Sequence, residues 1–210
     1  MTEGRQPRRR RIHDALIATA FGALVLSAGA LAVSSLFTSR SNDQDQVRGE
    51  LAYDAPRVSF TGARSSALGA AALDQLDYPW QTQLEGWTIE FVDAEGDVAG
   101  YAWSQERRIE VFVRPGDDAS VVARVLAHEL GHAVDVSLFD GDNRRAWLEQ
   151  RQAEDVDWWP TSGAADFETG AGDFAECFAA WFVGTRDFRS RVAGKPTPED
   201  FAFIERISLD

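Results

Sequence analysis

Residues 125–135 have the sequence VLAHELGHAVD, in which two histidines frame an acid and sit within apolar positions. The apolar residues before and after them recur at helical spacing, so this stretch predicts an amphipathic helix. His128 and His132 are four residues apart and would lie on one face of that helix, one turn apart. Two neutral imidazoles placed in this way can bind one metal ion, and Zn²⁺ is the expected ion.

The predicted helix begins at a cap formed by Asp117 or Asp118 and runs to about Leu138. Glu129 would point beside the ion, where it could take a proton from a zinc-activated water and act as general base, then general acid. An H-E-x-x-H match can arise by chance. The chain has three histidines, however, and both of those beyond the N-terminal tail belong to this motif. We therefore interpret it as half of a metal site.

The other half of the metal site is expected on a second helix, predicted at 173–183. Asp173 and Glu176 would share one face of this apolar helix, and two buried acids need a partner. We expect Glu176 to be the third zinc ligand, with Asp173 accepting a hydrogen bond from a histidine, while Asp173 as ligand remains the alternative. Asp135, three residues after His132, is expected to support a ligand and not to bind the metal itself.

The remaining patterns predict a domain that mixes helices and strands. A helix is expected at 63–76, a strand at 87–92, and a hairpin formed by 99–103 and 108–113. A short helix at 143–152, a loop at 155–172 and a last helix at 198–207 follow the motif helix. This order predicts an α+β fold with a small mixed or antiparallel sheet, an active-site helix and C-terminal helices.

The N-terminal part of the chain has the pattern of a membrane anchor. Four arginines at positions 8–11 precede an uncharged run of 23 residues at 15–37. Such a run is long enough to span a bilayer, and the positive-inside rule places the arginines in the cytoplasm. We expect a basic cytoplasmic tail at 1–14, a transmembrane anchor at 15–37, a linker at 38–57 and an extracytoplasmic domain at 58–210. A signal peptide, followed by secretion, is the alternative.

Charge and cysteine content exclude several other classes of protein. Beyond residue 40 the chain has 15 basic and 32 acidic side chains, so this part should repel nucleic acid and anionic lipid. Cys177 is the only cysteine, which excludes an intrachain disulfide and a zinc site with several thiolate ligands. Nucleic acid is therefore not an expected partner, whereas residues 15–37 predict contact with a membrane.

The motif and the later helix together resemble a known group of enzymes. HELGHAVD at 128–135, followed by Phe174-Ala175-Glu176, is similar to the H-E-x-x-H zinc metallopeptidases of the gluzincin type. The segment between Val121 and Val183 most resembles the lethal-factor-like catalytic domains. The resemblance implies a zincin fold, a zinc cofactor and a peptide substrate lying along an edge strand. These families often place Tyr or His near zinc to stabilise the oxyanion; here Arg144 and Arg145 are possible substitutes.

The sequence therefore predicts a membrane-anchored, extracytoplasmic zinc endopeptidase, with Glu129 as the general base. Two alternatives come from other classes of protein. One is a catalytically inactive zincin-fold module with a binding or structural role, tethered to the membrane. The other is a membrane-tethered adaptor in which the H-E-x-x-H match is accidental.

Overall fold

The computed structural model describes residues 57–161 and 165–209. The predicted tail, the predicted anchor and nearly all of the predicted linker lie outside the described residues. In the part of the chain that is described, none of the helices is both long enough and apolar enough to cross a membrane.

The described residues form a four-stranded mixed sheet covered by helices. In chain order the sheet contains β1 (Val58–Phe60), β2 (Thr88–Asp93), β3 (Gly100–Trp103) and β4 (Arg108–Val113). Their spatial order is β1-β2-β4-β3. Strands β1, β2 and β4 are mutually parallel, whereas β3 runs antiparallel to β4 and forms one edge.

The helices pack on one face of the sheet because the strands alternate between buried and half-exposed side chains. Ile89 and Phe91 on β2 and Ile109 and Val111 on β4 are fully buried, while the residues between them are not. Successive side chains of a strand point to opposite faces, so this alternation defines one core face. Helices α1 (Ala63–Leu73) and α3 (Ala119–Leu138) cover it.

Helix α3 is the central helix of the fold and carries the H-E-x-x-H motif. Asp118 begins it by accepting hydrogen bonds from the backbone N–H groups of Ser120 and Val121. All residues from Leu126 to Asp135 are buried, because the sheet covers one side of this helix and another helix covers the other. The long apolar stretch in the sequence thus corresponds to a helix enclosed by the core.

The remaining helices surround this core, and one of them packs closely on α3 at the motif. The shorter helices are α2 (Trp80–Gln83) and α4 (Gly141–Gln150), and the C-terminal pair is α5 (Gly170–Val183) and α6 (Pro198–Leu209). Helix α5 packs against α3 at Gly131, where a Cβ would lie 2.7 Å from the Cα of Ala175. Glycine in the motif therefore permits the two helix backbones to approach.

The structure confirms the α+β class, the small mixed sheet and the hairpin of β3 and β4. It adds two elements that the sequence patterns did not predict, the short strand β1 and helix α2. The predicted loop at 155–172 contains a 3₁₀ turn at Asp166–Glu168, and α5 begins at Gly170, three residues before its predicted start. Short elements have too few residues for a periodic pattern to be recognised.

Candidate metal centre

Three side chains meet at the buried end of the motif helix, and one of them was not predicted. His128 and His132 come from α3, and Asp166 comes from the 3₁₀ turn that precedes α5. Asp166 Oδ2 lies 3.0 Å from His128 Nε2, and Asp166 Oδ1 lies 3.3 Å from His132 Nε2. The two Nε2 atoms are 3.2 Å apart. Of the described residues, this is the group with the spacing of a metal site.

These distances fit a tetrahedral Zn²⁺ ion. Zinc binds histidine nitrogen and carboxylate oxygen at about 2.0–2.2 Å, so neighbouring ligand atoms in a tetrahedron lie roughly 3.3 Å apart. Asp166 Oδ1 is buried and makes no hydrogen bond within the described residues, although it lies against His132. A cation bound between this oxygen and the two imidazole nitrogens would give the oxygen the partner that it lacks. His128, His132 and Asp166 could therefore hold zinc with three protein ligands, as catalytic sites do.

Asp166 reaches the histidines because the 3₁₀ turn lies directly on α5. Thr169 accepts a hydrogen bond from Gly172 N and donates its hydroxyl to the carbonyl of Asp166, which fixes the turn at the start of α5. A Cβ at Gly172 would overlap that same carbonyl. The missing side chain at Gly172 is thus what allows Asp166 to approach the motif helix.

The structure places Glu176, the expected third ligand, on the other side of the His128 ring. Its Oε1 accepts a hydrogen bond from His128 Nδ1 at 3.1 Å, whereas the metal-facing atom is Nε2. Its Oε2 accepts from Arg124 at 2.6 Å and from the backbone N–H of Arg189 at 2.7 Å. Although burial opposes its ionisation, these hydrogen bonds and charges hold the pKa of Glu176 below its usual value.

This position corrects the predicted role of Glu176 and gives it another. A carboxylate only accepts hydrogen bonds when ionised, so His128 Nδ1 carries a hydrogen that points to Glu176. In neutral His128 the lone pair is then on Nε2 and faces His132 and Asp166. Glu176 therefore fixes the tautomer and the ring orientation, as a carboxylate behind a metal-binding histidine does.

Asp173, the predicted supporting acid and alternative ligand, lies away from the metal group. Its carboxylate accepts hydrogen bonds from Arg151 Nε at 2.9 Å, from Trp147 Nε1 at 3.1 Å and from the Ser190 hydroxyl. These partners belong to α4 and to the segment that follows α5. Asp173 thus joins parts of the core and contacts neither motif histidine.

Asp135 has the position expected from the sequence but a different partner. It is buried one turn after His132, and its carboxylate accepts from Arg144 Nε at 2.9 Å and Trp158 Nε1 at 3.1 Å. No hydrogen bond joins it to His132, whose Nδ1 has no partner within the described part of the chain. Burial raises the pKa of Asp135, and Arg144 opposes that shift.

Arg144, considered above as an oxyanion donor, is held by this contact and also lies over the ring of Trp159. Arg145 is exposed and pairs with Asp142. The two described tyrosines also have other partners. Tyr78 donates to Ser208 O, and Tyr101 lies on the face of β3 opposite Gly100, against Phe112.

Glu129 is buried next to the two motif histidines, and neither of its oxygens has a hydrogen-bond partner within the described residues. Burial raises its pKa to about 7, with the histidines opposing the shift. Gly100 on edge strand β3 lies directly against it, since a Cβ there would be 2.8 Å from Glu129 Oε1. A carboxylate with a pKa near neutrality can both accept and return a proton.

The histidines themselves are strongly influenced by the acids around them. Burial would lower the pKa of His128, but hydrogen bonds to Asp166 and Glu176 raise it to about 10. Burial opposes the ionisation of Asp166, but His132 and His128 beside it hold its pKa far below its usual value. Two carboxylates thus surround one imidazole, and in the metal-free protein His128 carries a proton at neutral pH.

Comparisons with models of known protein families, with curated proteins and with solved structures found no match to this chain.

Proposed function

We propose that this chain is a zinc-dependent peptidase of the H-E-x-x-H class with a zincin-like catalytic domain. One observation carries the proposal. Three buried ligand atoms from His128, His132 and Asp166 lie at the spacing of a tetrahedral zinc site, and a buried carboxylate without a hydrogen-bond partner lies beside them. That carboxylate, Glu129, occupies the motif position of the general base.

In this proposal the metal is held by an Asp instead of a Glu. Bound zinc would polarise the scissile carbonyl and make a water molecule more acidic. Glu176 would keep His128 in the tautomer that offers Nε2 to the metal, and Arg124 would hold Glu176 ionised. The ligand set expected from the sequence is thus changed at one position, from Glu176 to Asp166.

Glu129 would perform the proton transfers. Its pKa of about 7 matches the task of taking a proton from water during attack and giving it to the leaving amine afterwards. Burial supports this role because it excludes bulk water as a competing proton donor or acceptor. No second carboxylate is needed for these steps.

Strand β3 is the proposed binding edge for the peptide. It pairs with β4 on one side and has no strand on its other side in the described sheet. Gly100 on this strand lies against Glu129. An extended peptide added to this edge would bring its backbone past the catalytic glutamate, with main-chain hydrogen bonds providing affinity.

The test of the peptidase proposal is the full-length Glu129→Gln variant. We expect peptide cleavage to fall by about 10²-fold or more, because a positioned general base contributes roughly that factor. Zinc should remain at one equivalent, since Glu129 is not among the ligands. Cleavage of a peptide library is followed by mass spectrometry and bound metal by atomic emission. Wild-type cleavage rates in a zinc-loaded Glu129→Gln variant would contradict the mechanism.

The membrane location is also a proposal and rests on the sequence alone. The uncharged run at 15–37 next to four arginines supports an anchor with the domain at 58–210 outside the cytoplasm. Protease protection in intact cells tests it. Digestion of the domain by externally added protease is expected, and full protection would contradict the orientation.

A zinc-holding module without catalytic activity is the second candidate. The observation that favours it is that Arg144 and Arg145, the two residues considered as oxyanion donors, are paired with Asp135 and Asp142. This candidate would be supported over the peptidase if the wild-type chain bound one zinc and cleaved no member of a broad peptide library.

A further inference from the structure

A cavity of about 720 Å³ adjoins the metal centre on the side where Glu176 lies. His128 and Glu176 form part of its wall, and so does Ala99, next to the glycine that contacts Glu129. The first turns of α3 and the segment 183–189 after α5 complete the lining. The cavity thus extends from the proposed catalytic residues along the start of the motif helix.

Four arginines line this cavity, although the chain as a whole has a net charge of −13. They are Arg114, Arg124, Arg186 and Arg189. The lining also contains Asp118, Glu176 and Asp187, so its four arginines leave it with a net charge of +1 in a chain that is acidic overall. A cavity whose lining has a net positive charge favours ligands of the opposite sign.

Several of the acids around the cavity are already bonded. Glu176 is paired with Arg124 at 2.6 Å. Asp118 accepts from two backbone N–H groups at the start of α3. Arg114 is paired with Asp117 at 3.2 Å. These contacts fix the wall of the cavity and leave Arg114 and Arg124 each paired with an acid.

In the part of the chain that the structure describes, Arg186 is not paired with an acid, unlike Arg114 and Arg124 in the same cavity. It is exposed on the segment after α5, and within the described residues it makes no ion pair or hydrogen bond. Asp187, also exposed, is its neighbour in sequence and not a bonded partner. A guanidinium in this state retains all its donors for a ligand, and its planar fork matches a carboxylate.

We propose that this cavity binds a carboxylate of the peptide substrate and that Arg186 is the specificity-determining residue that contacts it. The inference rests on the proposed peptidase function. A peptide has two kinds of carboxylate that fit this description. One is an Asp or Glu side chain near the scissile bond, and the other is the free C-terminus. In either case the enzyme would select anionic peptides despite its own acidic surface.

The test measures binding of labelled peptides to full-length, zinc-loaded Glu129→Gln protein by fluorescence anisotropy. The probes are pools of short randomised peptides with a central Glu or a central Gln, each with a free or an amidated C-terminus. We expect the pool with the recognised carboxylate to bind about tenfold more tightly, the effect of one charge-assisted hydrogen bond. Tighter binding of the Glu pools than of the Gln pools would identify a side-chain carboxylate as the recognised group. Tighter binding of the pools with a free C-terminus than of the amidated pools would identify the C-terminal carboxylate.

Arg186→Glu, made in the same background, should abolish or invert that preference. Arg145→Glu is the matched control, because Arg145 is exposed on α4 and does not line the cavity. Equal binding of both pairs of pools, or an unchanged preference in Arg186→Glu, would overturn the inference. The chain's net negative charge disfavours acidic peptides overall, so a preference for them must arise locally.

Cleavage of the same pools by the wild-type chain separates this inference from the proposed function. Cleavage without any preference for a carboxylate overturns the inference and leaves the peptidase intact. A carboxylate preference that Arg186→Glu removes, without cleavage by the wild-type chain, contradicts the peptidase and supports the cavity as a carboxylate-binding site.

Discussion

His128 has a carboxylate on each of its ring nitrogens, and the two carboxylates have different consequences. Asp166 faces Nε2 and the second histidine, whereas Glu176 faces Nδ1 and Arg124. Only the first position can share an ion with His132 Nε2. An acid near a histidine in sequence or space is therefore not enough to identify a ligand, because the ring nitrogen that it faces decides its role.

The first prediction compares the effects of Asp166 and Glu176 on zinc affinity. Asp166→Asn should lose a metal ligand, so its zinc affinity should fall by more than the roughly 10- to 100-fold expected for a supporting residue such as Glu176→Gln. Competition with a fluorescent chelator measures both constants. Glu168→Gln is the control, since Glu168 ends the same turn but pairs with exposed Arg191. A larger loss in Glu176→Gln than in Asp166→Asn would restore Glu176 as ligand.

The second prediction concerns the pH dependence of zinc binding. The pKa of His128 in the metal-free protein is raised to about 10, so it is protonated at neutral pH and must lose that proton to bind zinc. Zinc affinity should therefore increase by about tenfold for each pH unit from neutrality towards pH 9, as one proton is released. Chelator competition at several pH values measures the slope, and a flat profile would show that His128 is neutral before the metal binds.

At the scale of elements, two glycines determine how closely helices and turns approach the motif. Gly131 lets the backbone of α5 reach that of α3, and Gly172 lets the turn at Asp166–Glu168 lie on α5. Without either contact the ligands from separate elements would not converge. Gly172 lies four residues before Glu176, and its absent side chain leaves room for the backbone of Asp166.

Replacement of Gly172 tests this arrangement. In Gly172→Ala the new methyl group would overlap the carbonyl of Asp166, so the turn must move and zinc affinity should fall. Overpacking at a buried site should also lower the free energy of unfolding by about 1–3 kcal/mol. Gly141→Ala is the control because a Cβ there meets nothing within 4 Å. Thermal unfolding and chelator competition measure the two effects, and normal zinc binding in Gly172→Ala would contradict the placement of Asp166.

At the scale of the whole molecule, a buried ionic network joins the three helices that follow the motif helix. Arg151, at the end of α4, pairs with Asp173 on α5 at 2.9 Å and with Asp200 on α6 at 2.8 Å. All three side chains are buried. This network explains why α5 carries an acid that does not bind the metal, since the acid balances a buried arginine.

Arg151→Met is the corresponding stability prediction. The substitution leaves Asp173 and Asp200 without their cation, and breaking a buried pair costs about 3–5 kcal/mol. Chemical denaturation of the full-length chain should show this loss, whereas the control Arg145→Met at an exposed position should change stability by less than about 0.5 kcal/mol. Wild-type stability of Arg151→Met would mean that the network does not hold the helices together.

The elements with long periodic patterns could be predicted from the sequence. The motif helix with its Asp118 cap, the hairpin of β3 and β4, and the last two helices lie where the patterns placed them, within a few residues. Periodicity reports which face of an element is buried, and burial is the strongest constraint on these segments. The short elements β1 and α2 have only three and four residues and carry no such pattern.

The sequence by itself determined the half-site on α3, because helix geometry alone puts residues four apart on one face. It could not determine the other half, since Asp166 lies in a segment without periodicity and is one of 34 acids in the chain. Only the tertiary structure decided that Asp166 reaches the histidines, that Glu176 lies behind His128 and that Asp173 belongs to Arg151. The physical reason is that these roles depend on contacts between separate elements, which local sequence patterns do not encode.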